Sequence, residues 1–211
     1  MTLIFTLTIF FAGCGEDDSP EKSFSEIQSA FEQKNFEKLC ERANLENFFT
    51  QTYDAITVDL AKDYETYRKK YPDDPYFQHD ADFLTEYNTK HKDLHLKFLL
   101  GVQEAYFNKL PEPPAPEENP HAYVANEFEK IRQATKAVVK ETKIDGNKAL
   151  MTVEIQGDSS IRGQFIGTLT FQLSFNKDEK NHWNFDKIEN LDELTPTLVD
   201  KAEMVWITFF N

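Results

Sequence analysis

The chain has 211 residues and carries 37 acidic against 23 basic side chains, a net charge of −14. That surplus excludes nucleic acid as a partner, because phosphate binding needs clustered Lys and Arg, and it sets the body against anionic lipid headgroups. The length suits one domain with a core large enough to need no disulfide staples.

The first element is a leader. Residues 3–12 (LIFTLTIFFA) form an apolar run of ten, far short of the roughly 20 residues needed to span a bilayer, and they match the core of a signal peptide. The residues that follow, Phe11-Ala12-Gly13-Cys14, resemble the lipobox of bacterial lipoproteins. The resemblance implies cleavage after Gly13, a thioether from the Cys14 thiol to diacylglycerol, and an extracytoplasmic protein held on the cell membrane by lipid. The alternatives are an ordinary secretory signal or a buried helix with an incidental cysteine. On the lipoprotein reading, residues 1–13 are the signal peptide, 14–22 a lipidated tether and 23–211 a single domain. The domain has a helical half, 23–136, and a second half, 137–211, with the sheet and a C-terminal helix. Cys40, beside Leu39 on an expected short helix, reads as a small buried apolar residue.

Ser23-Phe24-Ser25-Glu26 has the spacing of a capping box, which starts a helix there with Phe24, Ile27 and Phe31 facing inward. After a break at Lys34-Asn35 and a short helix from Phe36 to Glu41, apolar residues from Leu45 to Tyr71 recur at steps of three and four, which predicts one long helix. A second long helix carries Leu84, Tyr87, His91, Leu94, Phe98, Val102 and Tyr106 on one stripe, with Asp80 or Asp82 at its start. PEPPAPEENP at 111–120 reads as an extended connector. Val124, Phe128 and Ile131 then mark a third helix that begins at His121.

Beyond residue 136 the period changes to two. Asp145-Gly146-Asn147 is a hairpin turn, and Ala149, Met151, Val153 and Ile155 alternate with polar or opposite-facing neighbours. Phe165, Gly167, Leu169, Phe171, Leu173 and Phe175 alternate in the same way, which predicts one strand whose apolar row is interrupted by Gly167 at a bend or close approach. HWNFDKIEN supplies a fourth strand, and a C-terminal helix follows from about Pro196. These elements predict an α+β fold: N-terminal helices packed on a curved four-stranded antiparallel meander, closed by a C-terminal helix. VKETKIDGNKALMTVEIQ, GTLTFQLSF and HWNFDKIEN together resemble the sheet of the nuclear transport factor 2 superfamily. That resemblance implies a cone-like half-barrel with a pocket between sheet and helices.

Candidate sites follow. A pocket under the sheet would be lined by Tyr87, His91, Phe98, Phe165, Gly167 and Phe171, and would take a small apolar ligand or part of an envelope protein with no cofactor. His91 and His95 lie four apart on one helical face, which is metal-ligand spacing, so a metal-assisted envelope enzyme is the alternative function. Neither a zinc-peptidase glutamate nor a third ligand accompanies them, and a hydrogen-bonded histidine is the simpler reading. Gly157-Asp158-Ser159 resembles the start of a serine-hydrolase block but reads more simply as a polar loop. Asp73, Asp74, Asp80 and Asp82 lack the fixed spacing of a calcium loop.

Overall fold

The computed structural model describes residues 18–73, 77, 79–108 and 118–209. The leader, Cys14 and most of the proline-rich connector lie outside the described residues. Helices come first: α1 (Pro20–Gln33), α2 (Phe36–Cys40), α3 (Leu45–Lys62), α4 (Tyr64–Lys70), α5 (Ala81–Phe107) and α6 (Pro120–Gln133). Then come β1 (Thr135–Asp145), β2 (Lys148–Gly157), α7 (Ile161–Ile166), β3 (Thr168–Lys177), β4 (Trp183–Ile188) and α8 (Leu191–Phe209). The four strands form one antiparallel sheet in the order β1-β2-β3-β4, so the fold is α+β with a meander.

The sheet forms as its alternation demands. Ala149, Met151 and Val153 of β2 point to one face and are buried with Phe175 of β3 and Trp183 of β4, and Phe24 and Ile27 of α1 cover them. Asp145 pairs with Lys148 across the first turn, where Gly146 sits at φ 59°, a conformation that favours glycine. Register shifts fall between Val139 and Glu141 on β1 and between Ser174 and Phe175 on β3, and irregularities of this kind bend strands.

Several helix boundaries differ from expectation for local reasons. The first helix starts at Pro20, not at a capping box on Ser23: Ser19 Oγ accepts from the Lys22 N–H at 3.1 Å, and proline at the first helical position loses no hydrogen bond. Ser23 is instead fully buried, and Glu26 reaches Arg42 at 2.5 Å rather than the backbone. The folded body therefore includes Asp18 to Lys22, which the sequence reading assigned to the tether. The helix expected from Leu45 to Tyr71 breaks at Asp63, and α4 then turns Tyr64 and Tyr67 into a cluster with Phe77 and Leu84. Asp80 caps α5, its Oδ1 accepting from the Phe83 N–H at 2.7 Å. On α6, capped by Asn119, the buried residues are Ala122, Ala125 and Glu127, whereas Val124 and Phe128 are partly exposed, Phe128 lying against the rings of Phe31 and Tyr106.

The largest departure lies between β2 and β3. Residues 161–166 form α7, not the start of a strand, because Ser160 Oγ caps the Gly163 N–H at 3.1 Å. A Cβ on Gly157 would stand 1.8 Å from the Gly163 carbonyl oxygen, so only glycine permits this turn to close on the strand end. Phe165 therefore belongs to α7. Gly167 is its C-cap at φ 61° and ψ −131°, a backbone geometry open essentially to glycine alone. The C-terminal helix begins at Leu191 and contains Pro196, five residues earlier than expected.

A charged cluster joins α1, α5 and α6. Glu129 accepts from Lys34 Nζ at 2.7 Å, the Tyr106 hydroxyl at 2.6 Å and Arg132 at 2.8 and 3.0 Å. Arg132 first, then Lys34 and Tyr106, hold its carboxyl well below the usual carboxylate range. Burial, with Glu129 beside it, pushes the Tyr106 phenol well above its ordinary value. Lys34 also stands over the Tyr106 ring, 3.0 Å from its centroid.

Candidate functional site

A groove of about 690 Å³ opens where α2, the start of α3 and the second half of α5 meet the outer strand of the sheet. Its position is set by the segment between α2 and α3. Arg42 is held by Glu26 and by both carboxylate oxygens of Asp18, at 2.9 and 3.1 Å, and its carbonyl accepts the Phe185 N–H at 2.8 Å. Ala43 consequently lies alongside Phe185 as an isolated parallel bridge on β4. Asn44 then starts α3, its Oδ1 accepting from the Asn47 N–H at 3.0 Å.

The groove has an apolar floor and a polar rim. Phe185 lines it and packs edge-on against Phe175 and Phe48, with ring centroids 5.9 and 5.8 Å apart. Phe36, Leu45 and Leu100 add further apolar surface, and Phe36 is propped by Phe107 at 5.4 Å. Around them stand the carboxylates of Glu41, Glu46 and Asp186 and the amides of Asn44, Gln103, Asn176 and Asn184. Gln103 Oε1 and Asn184 Oδ1 are buried acceptors with no hydrogen-bond partner among the described residues. Both atoms are closed off from solvent, so the polar groups a ligand in the groove meets are those of the rim.

Cys40 lies at the rim. It is exposed, not the buried apolar residue expected from its neighbour Leu39, because α2 is one turn long and turns Leu39 inward instead. Partial burial pushes the thiol above its ordinary value, which disfavours the thiolate. The chemistry on offer is recognition of donors and positive charge against an aromatic floor.

The residues singled out from the sequence do not gather there. Tyr87, His91 and Phe98 lie along α5, and Tyr87 and Phe98 are each 37% exposed; Phe165 and Gly167 belong to α7 and its cap; Phe171 pairs with Val153 in mid-sheet. Helical periodicity identified a stripe on α5 correctly at Leu84 and Tyr106, which are buried, but most of the stripe between them is half-buried or exposed. His91 stacks on Tyr87, with ring centroids 4.2 Å apart, and its Nδ1 lies 2.8 Å from the Tyr87 carbonyl, which only accepts. The Tyr53 hydroxyl donates to the Asn88 carbonyl at 2.8 Å, so His95 Nδ1, 3.0 Å away, is the donor to Tyr53. Both rings are thus engaged in bonds within the helical layer. Among the described residues, no group of three His, Cys, Asp or Glu side chains is placed to hold a metal ion. Asp158 in the serine-hydrolase-like stretch accepts from Ser160 N–H at 2.8 Å and shapes the turn into α7.

Comparison with protein-family models, with curated proteins and with solved structures gives no match.

Proposed function

We propose that the chain is a lipid-anchored protein of the bacterial cell envelope, attached through Cys14, whose body binds a partner segment in the groove beside β4 without catalysis. The observation that carries the binding reading is the groove itself: about 690 Å³, floored by Phe185 and rimmed by Glu41, Glu46 and Asp186. A peptide with a cationic or amide side chain and an apolar neighbour satisfies both parts. A purely apolar ligand would leave the rim carboxylates without a counter-charge. The anchoring part rests on the leader and on Phe11-Ala12-Gly13-Cys14, and no helix among the described residues is long and apolar enough to cross a membrane. The antiparallel meander with α1 across its buried face is what favours a body like that of the nuclear transport factor 2 superfamily, with α3 and α5 as additions.

The test is photocrosslinking in living cells. A photoreactive amino acid at position 100, in the groove, should give a discrete adduct, and one at position 161, exposed at the start of α7, should give none. No adduct at 100, or the same adduct at both positions, contradicts the groove as the binding site.

A further inference from the structure

Asp18 lies only four residues beyond Cys14, and it is clamped. Its carboxylate holds Arg42 and accepts the backbone N–H of Trp183 at 2.6 Å. Trp183 begins β4 and pairs with Lys177 at the end of β3, and the Lys177 N–H donates to the Asn147 carbonyl in the β1–β2 turn at 2.8 Å. The entry of the chain into the body and both hairpin turns therefore share one end of the sheet. Four Cα steps span at most about 15 Å whatever their conformation. A strand of ten residues such as β2 is about 33 Å long, so α7 at its other end stands well beyond that reach.

Reach and exposure then select the face. Residues 143–148 and 177–182 hold four lysines (Lys143, Lys148, Lys177, Lys180) against three carboxylates (Asp145, Asp178, Glu179), in a chain whose net charge is −14. The two turns themselves are thus close to neutral. The chain entry at the same end brings Glu16, Asp17 and Asp18, of which Asp18 is paired with Arg42, so reach and not charge places this tip near the surface. At its margin Ile144 is 58% exposed, a bare apolar side chain between Lys143 and the turn. By contrast the groove carries Glu41, Glu46 and Asp186 and is repelled from the same surface.

From these positions we infer that the sheet tip made of the β1–β2 and β3–β4 turns rests on the bilayer surface, with Ile144 at the headgroup boundary and α7 pointing away. The inference rests on the lipid anchor at Cys14 proposed above. A three-residue link between the lipidated cysteine and a clamped aspartate makes the anchor an orienting device as well as an attachment. It also leaves the groove accessible beside the membrane.

The test uses the full chain, expressed with its leader and recovered from membranes after metabolic labelling with a fatty-acid probe. Cys40→Ser removes the other thiol, and Ile144→Cys or Ile161→Cys supplies one reporter at each end of the sheet; Ile161 is 64% exposed, so both sites tolerate a label. Each is labelled with an environment-sensitive fluorophore and placed in vesicles of phosphatidylethanolamine and phosphatidylglycerol bearing a headgroup nitroxide. The expected result is quenching several-fold stronger at 144 than at 161. Equal quenching, stronger quenching at 161, or none at either site in fatty-acid-labelled protein overturns the orientation while leaving the anchor standing. A chain that takes up no fatty acid overturns both.

Discussion

Asp18 and Trp183, 165 positions apart, are joined by a hydrogen bond of 2.6 Å from the Trp183 N–H to the Asp18 carboxylate. The same carboxylate binds Arg42, whose carbonyl holds Phe185, so one acidic side chain ties the entry of the chain to the outer strand and to the wall of the groove. Asp18→Ala leaves the Trp183 N–H and part of the Arg42 guanidinium without a partner in a largely buried place. The expected loss is about 2 kcal/mol, tempered because Glu26 still holds Arg42. At this chain length that lowers the unfolding midpoint by roughly 4–8 °C. An unchanged midpoint in thermal unfolding would show Asp18 to be a mere surface residue.

The two serines near the start of α1 have opposite roles. Ser19→Ala removes the cap and should cost about 1 kcal/mol. Ser23 is fully buried, and its hydroxyl has no partner among the described residues, so Ser23→Ala should be neutral or slightly stabilising. Denaturant midpoints of the two variants decide between this arrangement and a capping box on Ser23, which requires the reverse order.

Gly167 tests the backbone, not the packing. A Cβ there would meet nothing nearer than Lys201 Nζ at 3.8 Å and the Gln164 carbonyl at 3.9 Å, so space is not limiting. The left-handed φ of 61° is. Gly167→Ala and Gly167→Val should both destabilise, by about 1–3 kcal/mol. A neutral alanine beside a costly valine would point to overpacking instead.

The Glu129 cluster makes stability depend on pH in a known direction. Its carboxyl titrates lower in the folded chain than in the unfolded one, so its contribution is present above the ordinary carboxylate range and is lost as the pH falls through that range toward the folded value. Tyr106, raised by burial and by Glu129, loses its contribution as the pH rises past the ordinary phenol value. Glu129→Gln should therefore be less stable than the parent at pH 7, with the difference shrinking steadily below about pH 5. Midpoints that stay equally far apart from pH 7 to pH 3 would remove the cluster from the account.

The meander is legible in the sequence because its signals are local: the Asp145-Gly146-Asn147 turn and the alternation of Ala149, Met151 and Val153 specify pairing and facing within a few residues. The helical half is legible in its breaks, at Lys34 and before Asp80, for the same reason. What periodicity does not carry is which side of a stripe finds a partner. α5 is 27 residues long, and it buries Leu84 and Tyr106 while leaving Leu94 and Phe98 exposed, since the layer it packs on, α3 and α6, covers only part of its circumference. α7 hides inside an alternating pattern, and what marks it is the Ser160 cap together with two glycines, Gly157 and Gly163, in close contact. The groove could not be read at all, because Phe36, Leu100 and Phe185 meet only after the sheet and helices have assembled.

Cys40 offers a direct check on the groove's rim. Being exposed, it should react with a maleimide in the folded protein, more slowly than an ordinary free thiol at neutral pH because its pKa is raised. Labelling that appears only after denaturation would put Cys40 in the core and close this side of the groove.

The proposed anchor at Cys14 carries the account, and one measurement addresses it directly. Cells expressing the full chain are fed an alkyne fatty acid, and the wild type is compared with Cys14→Ser for incorporation and for partition into the membrane fraction. The wild type should carry the label and sediment with membranes, and the variant should carry none and be released, since the lipid chains on one cysteine supply the attachment. A wild-type chain without label, or a variant that stays in the membrane fraction, would contradict a lipid-anchored protein.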